Sequence, residues 1–410
     1  MHTMTGAELT IRLLERQGIA TIAGIPGGAN LPLYDALYQS SRIRHVLARH
    51  EQGAGFIAQG MARVTGLPQV CFATSGPGAT NILTAIADAK LDSIPVICIT
   101  GQVPSDMIGS DAFQEVDTYG LSIPITKHNF LVRSVEELLE VIPAAFSIAA
   151  SGRPGPVLID IPKDIQNREI SFENWPEPGA ATRAAPADRR KLEQAAAMIN
   201  TAQRPILYLG GGVIISNAAE PARTLMERSS IPTTMTLMGL GAVPVDHELS
   251  LGMLGMHAAP YTNMALEACD LLIAVGARFD DRATGKVSAF CPNAKVIHID
   301  IDPGELDKIR QAHVGIIGDV HAVLTELIPM IFADSREQWV SQVKALKQAH
   351  PFVAPERDKA NSAYGSILKA AEMVDDDTIV STDVGQHQMR TAQLYPFRKP
   401  RRWLTSGGLG

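Results

Sequence analysis

The feature that most constrains this fold is a repeated succession of short apolar runs and helical segments, joined by glycine-rich turns. In the first 166 residues, apolar runs such as "TIAGI", "QVCFAT" and "GPVLIDIP" alternate with amphipathic stretches such as "LPLYDALYQS". Short strands that alternate with helices form parallel sheets covered by helices on both faces. The sequence therefore predicts an α/β fold built from successive doubly wound parallel sheets.

The alternation changes character along the chain, which predicts a domain organisation. We expect a first domain at residues 1–166 and a linker at 167–188, where the periodicity stops and Pro, Ala and charge increase. A second alternating region follows at 189–335. Residues 360–410 contain one strand feeding a helix ("TIVSTDVGQHQM") and one strand entering a glycine-rich turn ("RRWLTSGGLG"). These are too few strands for a core, so we expect them to be the start of a third, truncated domain.

Composition excludes several classes of partner. The chain has 410 residues, 46% of them hydrophobic, and a net charge of −7 without basic blocks, which argues against a nucleic-acid partner. No apolar run is long enough to cross a bilayer, and a helical pattern begins almost at the first residue. We therefore expect a cytoplasmic protein with no membrane contact. Three of the cysteines stand in or beside apolar runs, which predicts buried thiols. None has C-x-x-C spacing, so we expect no metal site made of them: Cys71, Cys98, Cys269 and Cys291.

Two glycine-rich turns and one carboxylate form the first candidate site. The turns are "GIPGGAN" at residues 24–30 and "TSGPGATN" at 74–81, and Glu51 stands where an apolar strand gives way to a helix rich in Gly and Ala. Because ligands of open α/β sheets bind at the carboxyl ends of the strands, we expect Gly28, Glu51 and Gly76 to line one rim. Two structural alternatives remain open: the turns connect a strand tightly to a helix, and Glu51 is a first-turn acid favoured by the helix dipole.

A second set of strand-end residues predicts a dinucleotide site in the middle region. Glycines at 210–212 and 276 follow apolar runs, and Asp300 and Asp302 end another. An acid at a strand end can accept ribose hydroxyls, and glycine turns can hold a diphosphate. The spacing does not match G-x-G-x-x-G, so NAD is not implied. A purely structural domain is the alternative.

In their order along the chain, these segments resemble the large catalytic subunit of acetolactate synthase, also called acetohydroxyacid synthase. The resemblance covers essentially the whole chain. The ordered set is specific, although each motif alone is weak: "GIPGGAN", "RHEQGAGFIAQGMAR", "TSGPGATN", "DSIPVICITGQVP", "IGSDAFQEVDTYG", "ITKHNFLV", "SGRPGPVLIDIPKDIQ", "LGMLGMH", "GARFDDRATGK", "HIDIDPGE", "TDVGQHQM" and "RRWLTSGGLG".

The resemblance implies an activity and a catalytic site. Pyruvate would be decarboxylated with thiamine diphosphate and its two-carbon unit condensed with a second pyruvate or with 2-ketobutyrate, giving 2-acetolactate or 2-aceto-2-hydroxybutyrate. This is the first common step of branched-chain amino-acid biosynthesis. Glu51 would hydrogen-bond the aminopyrimidine of the cofactor and exchange a proton with it. Gly28 and Ala29 would face the reacting centre, and Phe113 and Gln114 would line the substrate pocket.

The resemblance also implies further cofactors and partners. Gln386, His387 and Gly410 would contact thiamine diphosphate. We expect a homodimer or dimer of dimers with a small regulatory subunit. The Mg²⁺ ligands of the family have no match up to residue 410, so the chain as given is expected to be inactive. The middle domain would hold FAD through a larger set: Arg153, Gly211, Thr236, Leu237, Leu254, Gly255, Met256, His257, Gly276, Ala277, Arg278, Phe279, Asp280, Arg282, Asp300, Ile301, Asp319 and Val320.

Two other functions remain open from the sequence. One is another thiamine-diphosphate carboligase or decarboxylase of the same fold, such as a pyruvate oxidase, which oxygen consumption during pyruvate turnover would identify. The other is a flavin-binding fragment without catalysis, which flavin colour without turnover would indicate.

Overall fold

The computed structural model describes residues 1–410 and divides them into two compact units. The first unit comprises Met1–Arg183 together with Ser406–Gly410, and the second comprises Ala184–Thr405. The domain boundaries predicted at residues 166, 189, 335 and 360 remain a prediction. Part of the predicted linker is regular structure, because residues 169–172 form a strand.

The first unit contains eight strands and seven helices. The strands are β1 His2–Thr5, β2 Thr21–Gly24, β3 Arg44–Leu47, β4 Gln69–Ala73, β5 Val96–Gln102, β6 His128–Leu131, β7 Val157–Pro162 and β8 Glu169–Phe172. The helices are α1 Gly6–Arg16, α2 Leu31–Tyr38, α3 Glu51–Thr65, α4 Pro77–Asp92, α5 Thr118–Ser122, α6 Leu138–Ala150 and α7 Lys163–Asn167.

Six of these strands form one parallel sheet in the order β3-β2-β4-β5-β7-β6, while β1 and β8 pair with each other as an antiparallel ribbon. Alternate residues of the strands enter two separate hydrophobic cores, with Phe72 on one side and Cys71 on the other. The sheet is therefore covered on both faces, as the apolar strand sequences predict.

Small side chains bring α3 and α4 close together on one face of the sheet. Ala54, Ala58 and Ala62 of α3 are completely or almost completely buried in the core that contains Cys71. A Cβ added to Gly55 would stand 2.5 Å from the Cβ of Ala85 on α4. This close packing fixes the first residue of α3, Glu51, at the edge of the sheet.

The second unit contains eight strands and nine helices. The strands are β9 Pro205–Leu209, β10 Thr233–Met235, β11 Ser250–Met253, β12 Leu271–Val275, β13 Lys295–Asp300, β14 Val314–Ile317, β15 Val380–Ser381 and β16 Trp403–Leu404. The helices are α8 Arg189–Thr201, α9 Gly211–Ile215, α10 Ala219–Arg228, α11 Pro260–Ala268, α12 Asp281–Thr284, α13 Val320–Leu327, α14 Glu337–Ala349, α15 Ala363–Glu372 and α16 Gln386–Leu394.

The main sheet of the second unit is also parallel, in the order β11-β10-β9-β12-β13-β14. Hydrophobic cores lie on both of its faces, and β15 and β16 form a separate parallel pair. The predicted α/β fold of doubly wound parallel sheets is thus confirmed. All four cysteines are buried and unbridged.

We expect Gly55→Ala to lower the free energy of unfolding by about 1–3 kcal/mol, because the added methyl group overpacks the contact between α3 and α4. Gly53→Ala is the matched control on the same helix, since a Cβ there meets no atom within 4 Å. Its stability should stay the same or rise by up to about 1 kcal/mol from helix propensity. Urea unfolding followed by circular dichroism measures both, and equal stabilities would contradict the packing argument.

Candidate active site at the strand ends

The two predicted turns of the first unit flank the point where its strand order reverses. From β2 the chain moves outward to β3, and it then returns to place β4 on the other side of β2. The loops after β2 and β4 therefore run in opposite directions and leave a crevice at the carboxyl ends of the strands. Ligands of open α/β sheets bind in such a crevice.

Thr74 joins the two loops. The backbone N–H of Ala29 donates to its Oγ1 at 3.3 Å. A Cβ added at Gly27 or at Gly78 would lie 2.5 Å and 2.7 Å, respectively, from the Thr74 methyl group. Because the buried side chain of Thr74 lies so close to both turns, only glycine fits at positions 27 and 78. Sequence reasoning missed Thr74, although it opens the quoted "TSGPGATN" segment.

Glu51 points its carboxylate toward the first turns of α4. Its Oε2 accepts a hydrogen bond from Asn81 Nδ2 at 3.0 Å, and its Oε1 lies 3.5 Å from the position of a Cβ at Gly78. The N-cap hydrogen bond of α3 is made by His50, whose Nδ1 accepts from Gln52 N–H at 3.1 Å. Glu51 is therefore not needed as a cap. Asn81 is a second residue that the sequence did not single out.

The two small residues of the first turn differ in their surroundings. Gly28 is exposed, and a Cβ there would meet no atom within 4 Å. Ala29 is buried, and its carbonyl oxygen accepts from Gln166 Nε2 at 2.8 Å. Gly28 thus faces open space at the crevice, whereas Ala29 forms part of its wall.

The structure brings Gln114 to the same crevice and leaves Phe113 on the surface of the unit. Gly76 has φ +55°, and a Cβ there would lie within 2.9 Å of the Gln114 backbone. Phe113 is 87% exposed. The Glu115 carboxylate organises this segment by accepting from the N–H groups of Gly109 and, at 2.9 Å, Ala112. These backbone donors hold the pKa of Glu115 below its usual value.

The remaining predicted thiamine residues lie elsewhere in the chain. Gln386 and His387 begin α16 of the second unit and are exposed. Gln386 Oε1 accepts from Arg390 Nη2 at 2.9 Å. Gly410 belongs to the first unit, and its N–H donates to Ser406 Oγ at 3.1 Å.

In the second unit the strand order reverses between β9 and β12, and the turns after these strands pack directly on each other. A Cβ at Gly210 would lie 2.0 Å from the Gly276 carbonyl oxygen, and one at Gly212 would lie 2.7 Å from Gly276 Cα. Gly276 itself has φ +57°. These glycines are required by packing alone, so their presence does not by itself indicate a ligand.

Several polar residues predicted to hold FAD lie at the carboxyl ends of strands in this sheet or in the segments that follow them, where they already have structural partners. Asp280 accepts from the N–H groups of Arg282 and Ala283 at the start of α12, and Asp319 accepts from Ala322 N–H at the start of α13. Asp300 ends β13 and accepts from Asp302 N–H at 2.9 Å.

The loop after β11 is joined to α12, because Met256 N–H donates to the Arg282 carbonyl oxygen at 3.0 Å. Met256 and His257 are exposed.

The other residues predicted to hold FAD differ in their exposure. Thr236 Oγ1 accepts from Gly239 N–H at 3.1 Å. Four are partly exposed, namely Leu237, Ile301, Gly211 and Arg278. Five other predicted residues are buried: Leu254, Gly255, Ala277, Phe279 and Val320. Arg153 belongs to the first unit, where its Nε donates to Ser93 Oγ at 2.8 Å.

No group of three or more His, Cys, Asp or Glu side chains is arranged to hold a metal ion. No helix has the length and apolar character needed to span a bilayer.

Comparison with known proteins identifies both units. Residues 4–121 match the family model of the N-terminal TPP binding domain of thiamine pyrophosphate enzymes, and residues 192–327 match that of their central domain. The chain is 61% identical to the acetolactate synthase isozyme 1 large subunit of Escherichia coli (strain K12) over 406 residues, 99% of this chain and 72% of the relative. It is 48% identical to the isozyme 2 large subunit of the same organism over 407 residues, 99% and 73% of the two chains. It is 46% identical to the chloroplastic acetolactate synthase of Arabidopsis thaliana over 416 residues, 99% and 62%.

We expect Thr74→Val to lower the free energy of unfolding by about 1–3 kcal/mol, because the buried N–H of Ala29 loses its acceptor while the shape of the side chain is kept. Thr74→Ser keeps the hydroxyl and should retain that bond. Thr84→Val, at an exposed position of α4, should change stability by less than about 0.5 kcal/mol. Chemical unfolding compares the three variants. A Thr74→Val protein as stable as Thr84→Val would show that the loops are held together in another way.

Proposed function

This chain belongs to the family of acetolactate synthase large subunits, and we propose that its catalytic centre is the crevice between the loops after β2 and β4. The chain is a thiamine-diphosphate-dependent enzyme subunit of that family. The observation that carries the site assignment is the Glu51 carboxylate, which Asn81 orients toward the bare backbone of Gly78 at the reversal of the strand order.

The residues of the crevice suit an aminopyrimidine ring. Glu51 can donate or accept a proton at a ring nitrogen. Asn81 donates to one of its carboxylate oxygens, and the other oxygen lies toward Gly78 at the start of α4. The exposed Gly28 leaves open space beside the loop, because it has no Cβ. When bound, thiamine diphosphate supplies the nucleophilic carbon that adds to a 2-keto acid. We propose Mg²⁺ as the counter-ion of its diphosphate.

For the substrates we propose two molecules of pyruvate, or pyruvate and 2-ketobutyrate. Gln114 lies against Gly76 at the edge of the crevice, where its amide can hydrogen-bond a keto-acid oxygen. Phe113, the neighbouring residue, offers an apolar ring to the alkyl group of the second keto acid.

We propose FAD as the ligand of the second unit. The strand order of that sheet is the order typical of dinucleotide-binding folds, and Gly211, Gly276 and Asp300 stand at the carboxyl ends of β9, β12 and β13. Asp300 stands at a strand end, where it can accept ribose hydroxyls.

Two partners are proposed. A second copy of the chain is supported by large apolar side chains on the surface of the first unit, namely Leu47, Phe56, Ile57 and Ile123. A small regulatory subunit is supported by the naming of the Escherichia coli relatives as large subunits.

In a preparation of the subunit that forms acetolactate from pyruvate, we expect Glu51→Gln to reduce that turnover by about 10²–10⁴-fold, because the amide keeps the shape of the side chain but cannot exchange the proton. Folding should be unchanged. The control is Glu220→Gln, which removes an exposed first-turn acid from α10 and should leave turnover unchanged. Product formation and circular dichroism measure the pair. Equal turnover in both variants would restore the helix-dipole explanation for Glu51.

We expect Arg278→Met to weaken flavin binding by about 10- to 100-fold through the loss of one charged contact. Gly276→Val is a poorer test, because it also disrupts the packing on Gly212. The control is Arg189→Met, which removes an exposed cation paired with Glu193 on α8. Flavin absorbance during titration, with thermal unfolding alongside, measures the effect. Absence of flavin binding in the parent chain, or equal affinity in both variants, would contradict the assignment.

A further inference from the structure

A carboxylate outside the proposed catalytic residues is completely enclosed in the sheet of the first unit. Asp160 of β7 is 1% exposed and stands opposite Thr100 of β5 in the parallel register. Its Oδ1 accepts from Thr100 Oγ1 at 2.6 Å, and its Oδ2 accepts from Gln102 Nε2 at 3.0 Å. A buried ionisable group that is held by neutral donors is costly to retain and is common at functional sites.

Gln102 connects this carboxylate to the segment that carries Gln114. Its Nε2 also donates to the Val116 carbonyl oxygen at 3.0 Å, and its Oε1 accepts from Val103 N–H at 2.9 Å. All polar atoms of the amide are therefore engaged in one arrangement. Because Val116 follows Gln114 by two residues, the Asp160 carboxylate is linked by two hydrogen bonds to the wall of the crevice.

We propose that Asp160 is a positioning residue for the keto-acid substrate, acting through Gln102 to fix Val116 and the segment that presents Phe113 and Gln114. The inference rests on the proposed function, because it assumes that this segment contacts substrate. It concerns a residue that would not itself touch substrate or cofactor.

The charge of Asp160 determines how firmly Gln102 holds the segment at residues 112–117. A hydrogen bond to an ionised acceptor is roughly twice as strong as one between neutral groups, so the ionised carboxylate holds Gln102 more firmly. Burial raises the pKa of Asp160 to about 7, and Thr100 and Gln102 oppose that rise. The titratable groups that act with it are Asp117, at the start of α5, and Cys98 of β5, whose thiol pKa is raised by its hydrogen bond with Cys71 and by burial.

Ionisation of Asp160 strengthens its hydrogen bond to Gln102 but lowers the stability of the folded chain. Since the pKa of Asp160 is about 7 in the folded chain and 3.8 is its ordinary value, the folded state keeps a proton that the unfolded state has lost. Its contribution to stability is present below pH 3.8 and is lost as the pH rises to about 7. Increasing pH should therefore tighten the substrate segment while it lowers stability.

The experiment uses Asp160→Asn and Gln102→Met, with Thr100→Val as the control. Asparagine imitates the neutral carboxyl, and methionine removes the connection to Val116. In a preparation of the subunit that forms acetolactate, we expect both variants to raise the KM for pyruvate at pH 8 by about fivefold with kcat nearly unchanged, and to flatten the change of KM between pH 6 and 8. Hydrogen exchange of residues 112–117, measured by mass spectrometry without substrate, should be faster in both variants. Asp160→Asn should also lose the decline of melting temperature between pH 4 and 7.

Thr100→Val removes a donor to the other carboxylate oxygen and leaves the hydrogen bond from Gln102 to Val116 in place. Because Thr100 opposes the rise in the Asp160 pKa, this variant should alter stability and move the change of KM to higher pH without flattening it. Unchanged exchange and an unchanged KM profile in Gln102→Met would overturn the proposal, even if Asp160→Asn did not fold. If Glu51→Gln is inactive while Asp160→Asn and Gln102→Met match the parent, only this inference fails. Retained turnover in Glu51→Gln would instead contradict the catalytic assignment.

Discussion

The reversal of strand order between β2 and β4 determines where everything at the candidate site can lie. Parallel strands end at one edge, and only at a reversal do the following loops diverge enough to admit a ligand. Thr74 then sets the separation of those loops, since Gly27 and Gly78 both approach it more closely than any Cβ allows. The second unit repeats the arrangement between β9 and β12 with different residues.

Three carboxylates of the first unit differ in their properties because their hydrogen-bond partners and burial differ. Glu115 is surrounded by backbone N–H donors, which keep it charged and make it a support for its loop. Asp160 has only neutral side-chain donors inside the sheet, so its charge is sensitive to pH near neutrality. Glu51 is held at one oxygen by Asn81 at the edge of a crevice. Only the last arrangement leaves a carboxylate available for proton exchange with a ligand.

The sequence predicted the fold class because most buried parallel strands are continuous apolar runs, as in β9 and β12. It missed β1, β6 and β8, which are short, partly exposed and polar, so that their pairing depends on tertiary contacts. The same limit applies to the site. Glu51 and the glycine turns carry a local pattern, whereas Thr74, Asn81 and the link from Asp160 to Val116 join residues far apart in sequence. Neither the hydrophobic periodicity of a segment nor the spacing within a motif can predict such pairs.

Glycine illustrates why a motif alone does not distinguish packing from binding. At Gly276, Gly212 and Gly210 an added Cβ would strike protein backbone, so the fold accounts for the residue without a ligand. At Gly28 an added Cβ would meet nothing within 4 Å, so the fold gives no steric reason for the residue type. A glycine that packing does not require, placed at a strand-order reversal beside an oriented carboxylate, is the stronger indication that another molecule occupies the space. For the first unit this distinction favours ligand contact over a tight turn, which the pattern "GIPGGAN" alone leaves undecided.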